Sequence, residues 1–150
     1  MFSIRPSRPE EVDSLITIWR RAVDATHDFL ALDDRAAIDV EVQQLFQTVP
    51  MWVAVDEADR PVGFMILSGG EMQALFIDPA SHRRGVGRLL VEHAIKLCDT
   101  LSTDVNEQNV QAVGFYERLQ FVPTGRSPKD HQGRSYPLLH LRLKRTGQAD

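Results

Sequence analysis

The sequence predicts a single mixed α/β domain whose sheet is antiparallel in its first half and parallel around a central helix. Three observations predict it. The β-rich runs 51–55, 62–67 and 71–77 are joined by short turn-forming segments, Asp56 to Pro61 and Ser68-Gly-Gly70, that leave room only for hairpins. The third run ends at Asp78-Pro79 and opens, through a glycine-rich corner, into a helical pattern followed by another β-rich run, which demands a crossover and a parallel pair. The chain of 150 residues carries no repeat, low-complexity segment or shift in composition, and one domain of that length buries roughly 70 per cent of its unfolded-chain surface. The domain is therefore expected to span 1–150, with about seven strands in a mostly antiparallel sheet and about four helices on both of its faces.

In order, Phe2 to Arg5 alternates as a first strand, and Ser7-Arg-Pro-Glu10 reads as a capping box. Val12, Leu15, Ile16, Trp19, Ala22 and Val23 then make an apolar helical stripe, with Glu11, Asp13, Arg20 and Arg21 largely outside it. The stripe runs into Asp24-Ala-Thr-His-Asp-Phe-Leu30, an unusual mixture for plain surface. A second helix is expected over 33–47, with Ile38, Val42, Leu45 and Phe46 inward and Pro50 beyond its end. The run from Ala74 to Ile77 reads as a buried strand. Beyond the corner, Val86, Leu89, Leu90, His93, Ala94, Leu97 and Cys98 share one helix face, so this helix starts near Gly85. A strand at 101–105, a helix at 109–119 and strands at 121–125 and 136–143 complete the chain, with a polar loop over 127–134. Lys144 onward reads as a fraying tail.

Composition narrows the function classes. A net charge of −4 argues against a broad nucleic-acid footprint. No run of about 18 apolar residues and no basic-then-apolar leader occurs, so neither a membrane span nor a signal peptide is expected and the cytoplasm is the expected compartment. Cys98, the one cysteine, is expected to be a small core residue, and the five histidines lack metal-ligand spacing, so no metal is expected.

The corner has a physical use. A helix N-terminus presents N–H groups without intrahelical partners and a partial positive charge. Glycine at 85 and 87 removes Cβ atoms that would keep a phosphate from those donors, while Arg83, Arg84 and Arg88 add charge. A solvated, glycine-bearing turn is the plainer alternative. A P-loop needs a Gly-x4-Gly-Lys run, which is absent, and a dinucleotide fingerprint needs a third glycine where Leu90 stands.

Leu75-Phe-Ile-Asp-Pro79, then His82-Arg-Arg-Gly-Val-Gly-Arg-Leu-Leu90, then Asn109 with Tyr116-Glu-Arg-Leu-Gln-Phe121, resembles the GNAT superfamily of acyl-CoA-dependent N-acetyltransferases. With Asp24 to Leu30, Val62-Gly-Phe-Met65, Val105 to Asn109 and Tyr136-Pro-Leu-Leu139, the chain looks like a bacterial subgroup whose substrates are mostly unassigned. Two positions depart from the family pattern: His82 stands where Gln or Arg is usual, and Gln120 where Gly is usual. The resemblance implies a central parallel pair splayed for acetyl-CoA. It implies that backbone groups of Leu75, Phe76 and Ile77 pair with the pantetheine arm, that the amides of Arg83, Arg84, Gly85, Val86, Gly87 and Arg88 hold the pyrophosphate, and that Asn109 contacts the cofactor. It implies an acetyl transfer to a primary amine by direct attack in a ternary complex.

Tyr116 is then the general acid for the departing thiolate, since tyrosine with a reference pKa of about 10 keeps its proton at neutral pH. A core aromatic beside Val113 and Leu119 is the alternative. For the base, Asp104 occupies a position that carries a carboxylate in similar enzymes; Glu71, His27 and a water relay compete. His27 and Phe29 are candidates for the acceptor side, with Trp52 and Tyr136 as walls, although His27-Asp28 can equally be a helix-terminal turn. The expected partners are acetyl-CoA and a small-molecule or peptide amine, with no nucleic acid or membrane, in a monomer or homodimer. An acyl-CoA sensor without turnover and a nucleotide-phosphate binder are the competing functions.

Overall fold

The computed structural model describes residues 1–144, so the expected tail lies, beyond Lys144, outside the described residues. Strands β1 (Ser3–Pro6), β2 (Trp52–Val55), β3 (Pro61–Ser68), β4 (Glu71–Ile77), β5 (Ser102–Asn106), β6 (Phe121–Ser127) and β7 (Leu138–Leu143) form one sheet in the order β1-β2-β3-β4-β5-β7-β6. Every neighbouring pair is antiparallel except β4 and β5. Helices α1 (Val12–Thr26) and α2 (Leu32–Leu45) cover one face; α3 (Val86–Leu97) and α4 (Val110–Arg118) cover the other. Short 3-10 turns, Pro9–Glu11 and Pro79–Ser81, precede α1 and follow β4.

Each layer has its own core. Leu15, Trp19 and Val23 of α1 meet Val42 and Phe46, and pack on Val53, Phe64 and Ile66 of the sheet. On the opposite face Val86, Leu90, Val91 and Ala94 of α3 join Tyr116, Met65, Met72 and Leu141. The alternation of side chains along each strand divides the residues between the two layers.

The β4–β5 ladder is short. Its pairs are Glu71 with Ser102 and Met72 with Thr103, after which the strands diverge. The Thr103 hydroxyl donates to the Met72 carbonyl at 2.7 Å and pins the apex of the split. β4 also carries one extra residue there, because Ile66 faces Ala74 and Leu67 faces Met72, leaving Gln73 as a bulge. The sequence reads 74–77 as a buried strand, whereas these residues are half-buried, since no strand covers their β5 side.

Five further expectations are corrected. The capping carboxylate is Glu11, not Glu10: the Arg8 N–H donates to it at 2.9 Å because the turn begins at Pro9, while Ser7 instead accepts from the Met51 N–H at 3.1 Å. Glu11 is buried, not outside the stripe, because both Arg5 Nη atoms donate to it at 2.9 and 2.6 Å. Leu45 is exposed because the narrow inward stripe of α2 passes through Val42 and Phe46. Leu97 is also exposed, and Cys98 leaves the helix face with extended backbone, so it is half-buried and not a core residue.

The Arg5 ion pair holds the Glu11 carboxyl below the usual carboxylate range. Such a group contributes stability above its unfolded-state value and loses it as pH falls toward the folded-state value. Glu11→Ala, which leaves Arg5 with Asp59 as its remaining anion, is expected to cost about 3 kcal/mol at neutral pH. Urea unfolding checks this: the difference between parent and variant should shrink as the pH is lowered through the carboxylate range.

Candidate active site

Where β4 leaves β5, a cavity of about 650 Å³ opens between β4, the β4–α3 corner, α4 and the end of α1. Leu75, Phe76 and Ile77 line its β4 wall, whose β5-facing N–H and C=O groups have no strand partner past Met72 among the described residues. Arg83, Gly85, Val86, Gly87 and Arg88 line the corner, and Asn109 and Tyr116 line the α4 side. Arg84 is the one residue of the predicted corner that does not line the cavity.

The corner forms because three consecutive local choices agree. The Asp78 carboxylate accepts from the Ala80 N–H at 3.0 Å and closes the turn after β4. Arg83 then takes φ 64°, and Gly85, at φ 82°, is the N-cap of α3. Gly85 has open space where a Cβ would stand; its conformation is what requires glycine. Gly87 differs from the expectation: a Cβ there would meet the Phe115 ring at 3.0 Å, so this glycine serves the approach of α4 to α3. Arg83 makes no ion pair among the described residues, whereas Arg88 pairs with Glu92 at 3.2 Å. The corner therefore presents backbone donors and local positive charge in a protein of net negative charge.

Tyr116 sits at the apex. It is buried, wedged edge-on between Phe115 and Phe121, and adjoins the Thr103 side chain. Burial drives its hydroxyl pKa well above the ordinary tyrosine value, so the proton stays on the oxygen. Asn109 caps α4 by accepting from the Ala112 N–H at 3.2 Å, which anchors the helix start against the cavity.

His27 lines the same cavity from the end of α1, and from it aromatic rings continue away from β4. A chain of rings, His27 to Phe76 at 6.4 Å, His27 to Phe29 at 5.1 Å and Phe29 to Tyr136 at 6.0 Å, spans from β4 to the entry of β7. The Tyr136 hydroxyl donates to Asp34 and accepts from the Ala31 N–H at 3.0 Å, so the 128–137 loop is tied to the α1–α2 loop. The anion of Asp34 raises the Tyr136 pKa. Burial lowers the His27 pKa, opposed by Asp28. The Thr26 hydroxyl spends its one proton on the Ala22 carbonyl at 2.8 Å, so the His27 Nδ1 contact at 2.7 Å makes Nδ1 the donor.

Among the predicted acceptor residues, His27, Phe29 and Tyr136 meet, and Trp52 does not. Its ring packs edge-on against His93 of α3 at 4.3 Å, on the cofactor-side layer, because the pleat of β2 turns it to that face. Asp104 points to the face opposite Tyr116, since it follows Thr103 in the strand alternation. Both of its oxygens are engaged, by His140 Nδ1 at 2.6 Å and His131 Nε2 at 2.9 Å. Sequence reasoning missed these histidines, which reach Asp104 only through the β5–β7 pairing and the loop before β7. It also missed Phe115 and Arg118 of the cavity wall; Gln111, Phe115 and Arg118 recur at i, i+4 and i+7, a spacing that marks one helix face.

The family model described as "Acetyltransferase (GNAT) domain" matches residues 32–137. The peptidyl-lysine N-acetyltransferase YjaB of Salmonella typhimurium is 55% identical over 141 residues, covering 94% of this chain and 97% of that protein. The solution structure of apo-form YjaB from Escherichia coli superposes with a TM-score of 0.92 at 54% identity, over 95% of this chain and 97% of the other. A more distant likeness, of fold alone, is the PaiA N-acetyltransferase of Thermoplasma acidophilum in complex with coenzyme A, with a TM-score of 0.78, 16% identity and coverage of 97% and 99%.

Proposed function

Because the chain belongs to the GNAT family and is an N-acetyltransferase, we propose that it passes the acetyl group of acetyl-CoA to the side-chain amine of a peptidyl lysine, within a ternary complex. The observation that carries this reading is the split itself, whose cavity has Tyr116 on its α4 side, the unpaired β4 backbone along one wall and His27 at the end of α1. The YjaB relatives, named for peptidyl-lysine acetylation at more than half identity, support the acceptor class.

In this reading the pantetheine arm lies along Leu75, Phe76 and Ile77 and hydrogen-bonds their unpaired backbone as an added strand would. The pyrophosphate rests on the N-terminus of α3, among the N–H groups of Gly85 to Arg88 and beside Arg83; Arg84 contributes charge from outside the cavity. Asn109 fixes the start of α4 next to the arm. The neutral amine attacks the thioester carbonyl, the C–N bond forms, and the oxyanion is met by N–H groups of β4. The C–S bond then breaks as Tyr116 gives its proton to sulfur, and the surplus proton of the new amide nitrogen leaves to restore the tyrosine. His27, Phe29 and Tyr136 border the acceptor's approach and can hold the aliphatic part of a lysine.

The test is CoA release, followed with a thiol reagent, for lysine-containing peptides against polyamines and a peptide whose only amine is its N-terminus. Turnover confined to lysine peptides, with mass spectrometry locating the acetyl group on the side chain, is the expected result. Turnover on polyamines alone would overturn the acceptor class. Binding of acetyl-CoA with no turnover on any amine would favour an acyl-CoA sensor.

A further inference from the structure

We propose that His27 is the base of the acetyl transfer: its Nε2 takes the surplus proton of the acceptor nitrogen as the C–N bond forms. The inference rests on the acetyl-transfer reading and deepens it, by assigning where that proton goes.

His27 and Tyr116 line one cavity from two different layers of the fold. Tyr116 belongs to the core under α3 and α4, and Leu75 and Ile77 of β4 pack against that core. Phe76 alternates with them and joins the core under α1, and His27 approaches its ring at 6.4 Å between centres. A thioester lying along the unpaired edge of β4 therefore has the phenol on the α4 side and the imidazole on the α1 side. The other candidate bases stand elsewhere. Neither Asp104 nor Glu71 lines the cavity, and both oxygens of Asp104 are engaged by histidines. His82, the second histidine of the cavity wall, is exposed beside Arg83 at the glycine-rich corner.

The imidazole is held in one place and one tautomer. The His27 N–H closes the last turn of α1 on the Val23 carbonyl at 2.7 Å, and the His27 carbonyl accepts from the Leu30 N–H at 3.1 Å, so the backbone is fixed on both sides. Phe29 at 5.1 Å and Phe76 flank the ring. Nδ1 donates to the Thr26 oxygen at 2.7 Å, because that hydroxyl has given its own proton to Ala22. Nε2 is then the nitrogen with the lone pair, and it has no printed partner to satisfy: no hydrogen bond to it forms among the described residues. Nor is it sealed in, since the one buried side-chain nitrogen or oxygen without a partner among them is His93 Nε2. A proton-free, accessible nitrogen on a residue of the cavity wall is what a base requires.

The surroundings set the direction of transfer. Asp28 is the anion next to His27; Asp24 of α1 is paired with Arg35, and Arg21 with Asp78 at the end of β4. The cavity adds His82, Arg83, Arg88 and Arg118, while the rings of Phe29 and Phe76 carry no charge. Burial outweighs Asp28 and lowers the His27 pKa, whereas burial raises that of Tyr116. Two groups of one site pushed apart in this way divide the work: at neutral pH the imidazole is free to take a proton and the phenol holds one to give. The step balances. The neutral amine nitrogen bonds to the thioester carbon, one of its N–H bonds breaks and the proton forms Nε2–H, and the C–S bond breaks as the Tyr116 proton goes to sulfur. Imidazolium and tyrosinate remain, and the proton passes from the stronger acid to the stronger base through solvent, which restores both residues.

The experiment measures kcat and KM against pH for the parent, His27→Phe, His27→Ala and His27→Gln on a lysine peptide, with a melting curve for each protein. His27→Phe keeps an aromatic ring against Phe29 and Phe76 and removes the basic nitrogen, so it separates chemistry from packing. It is expected to lose about 100-fold in kcat, the lower part of what a positioned acid or base supplies, with KM for acetyl-CoA unchanged. Activity of the parent should fall with pH only below the ordinary imidazole value, because burial lowers the His27 pKa, and this acidic limb should vanish in His27→Phe. Added imidazole should restore part of the loss in His27→Ala, where the ring's space is vacated, and none in His27→Phe. A folded His27→Phe with the parent's kcat and pH profile overturns the assignment. A loss confined to the KM of the peptide overturns it too, since His27 would then be only a wall of the acceptor's approach. If His27→Phe does not fold, His27→Gln, which has no titrating nitrogen, decides by the same kcat and pH criteria. A parent without activity on any amine would fail the acetyl-transfer reading itself, which is distinct from an active parent indifferent to His27.

Discussion

Tyr116→Phe is expected to lower kcat by about 10²- to 10³-fold while leaving the KM for acetyl-CoA unchanged. The substitution removes only the hydroxyl, so the edge-on contacts with Phe115 and Phe121, both at 5.2 Å between ring centres, survive. The Thr103 hydroxyl keeps its bond to the Met72 carbonyl, so the apex of the split stays pinned. What disappears is the proton for the departing sulfur, a contribution made in the transition state and not in the ground state; kcat and kcat/KM should fall together. Because burial raises the pKa of Tyr116, its protonated, donating form persists as pH rises through the ordinary tyrosine range. Any alkaline limb near neutrality in the parent profile should therefore persist in Tyr116→Phe. Steady-state kinetics across pH, with a melting curve for each protein, checks this; parent-like kcat in a folded Tyr116→Phe would remove the tyrosine from the chemistry.

Gly87→Glu is expected to weaken acetyl-CoA binding by about 100-fold, or about 3 kcal/mol, the loss of one or two charge-assisted hydrogen bonds. Two effects add. A Cβ at this position meets the Phe115 ring at 3.0 Å and must push α4 or its aromatic ring aside, narrowing the cavity that both helices line. The carboxylate then enters the corner beside Arg83 and Arg88 and competes with the pyrophosphate for the same positive field. Titration calorimetry separates the two through Gly87→Ala, which carries the steric part alone and should show a smaller loss. Equal affinity in parent and Gly87→Glu would mean that the diphosphate does not use this turn.

The element order was legible because it rests on local signals. Asp78-Pro79 stops a strand, Gly85 supplies a left-handed N-cap, and the apolar spacing from Val86 to Ala94 propagates a helix; each acts within a few residues. The split between β4 and β5, and the placing of Leu75 to Ile77 and of Gly85 to Arg88 along one cavity, followed from that order together with the family resemblance. Errors arose where a side chain's surroundings are set from far along the chain. Trp52 belongs to an alternating strand, and only the packing of α3 against β2 decides that its ring meets His93. Glu11 is charged and lies in a helix start, yet Arg5 from β1 draws it into the interior.

By itself, then, the sequence determined one α/β domain, its hairpins and crossover, and a phosphate-sized corner followed by a tyrosine-bearing helix. The tertiary structure alone decided which faces those residues share. His131 and His140 lie 27 and 36 residues from Asp104 along the chain, yet the β5–β7 ladder and the loop before β7 bring all three to one point. The reason is physical: backbone preferences are read over a turn or a few strand residues, whereas hydrogen-bond partners are chosen by ladder register, and a shift of one residue in that register would turn Asp104 to the other face of the sheet.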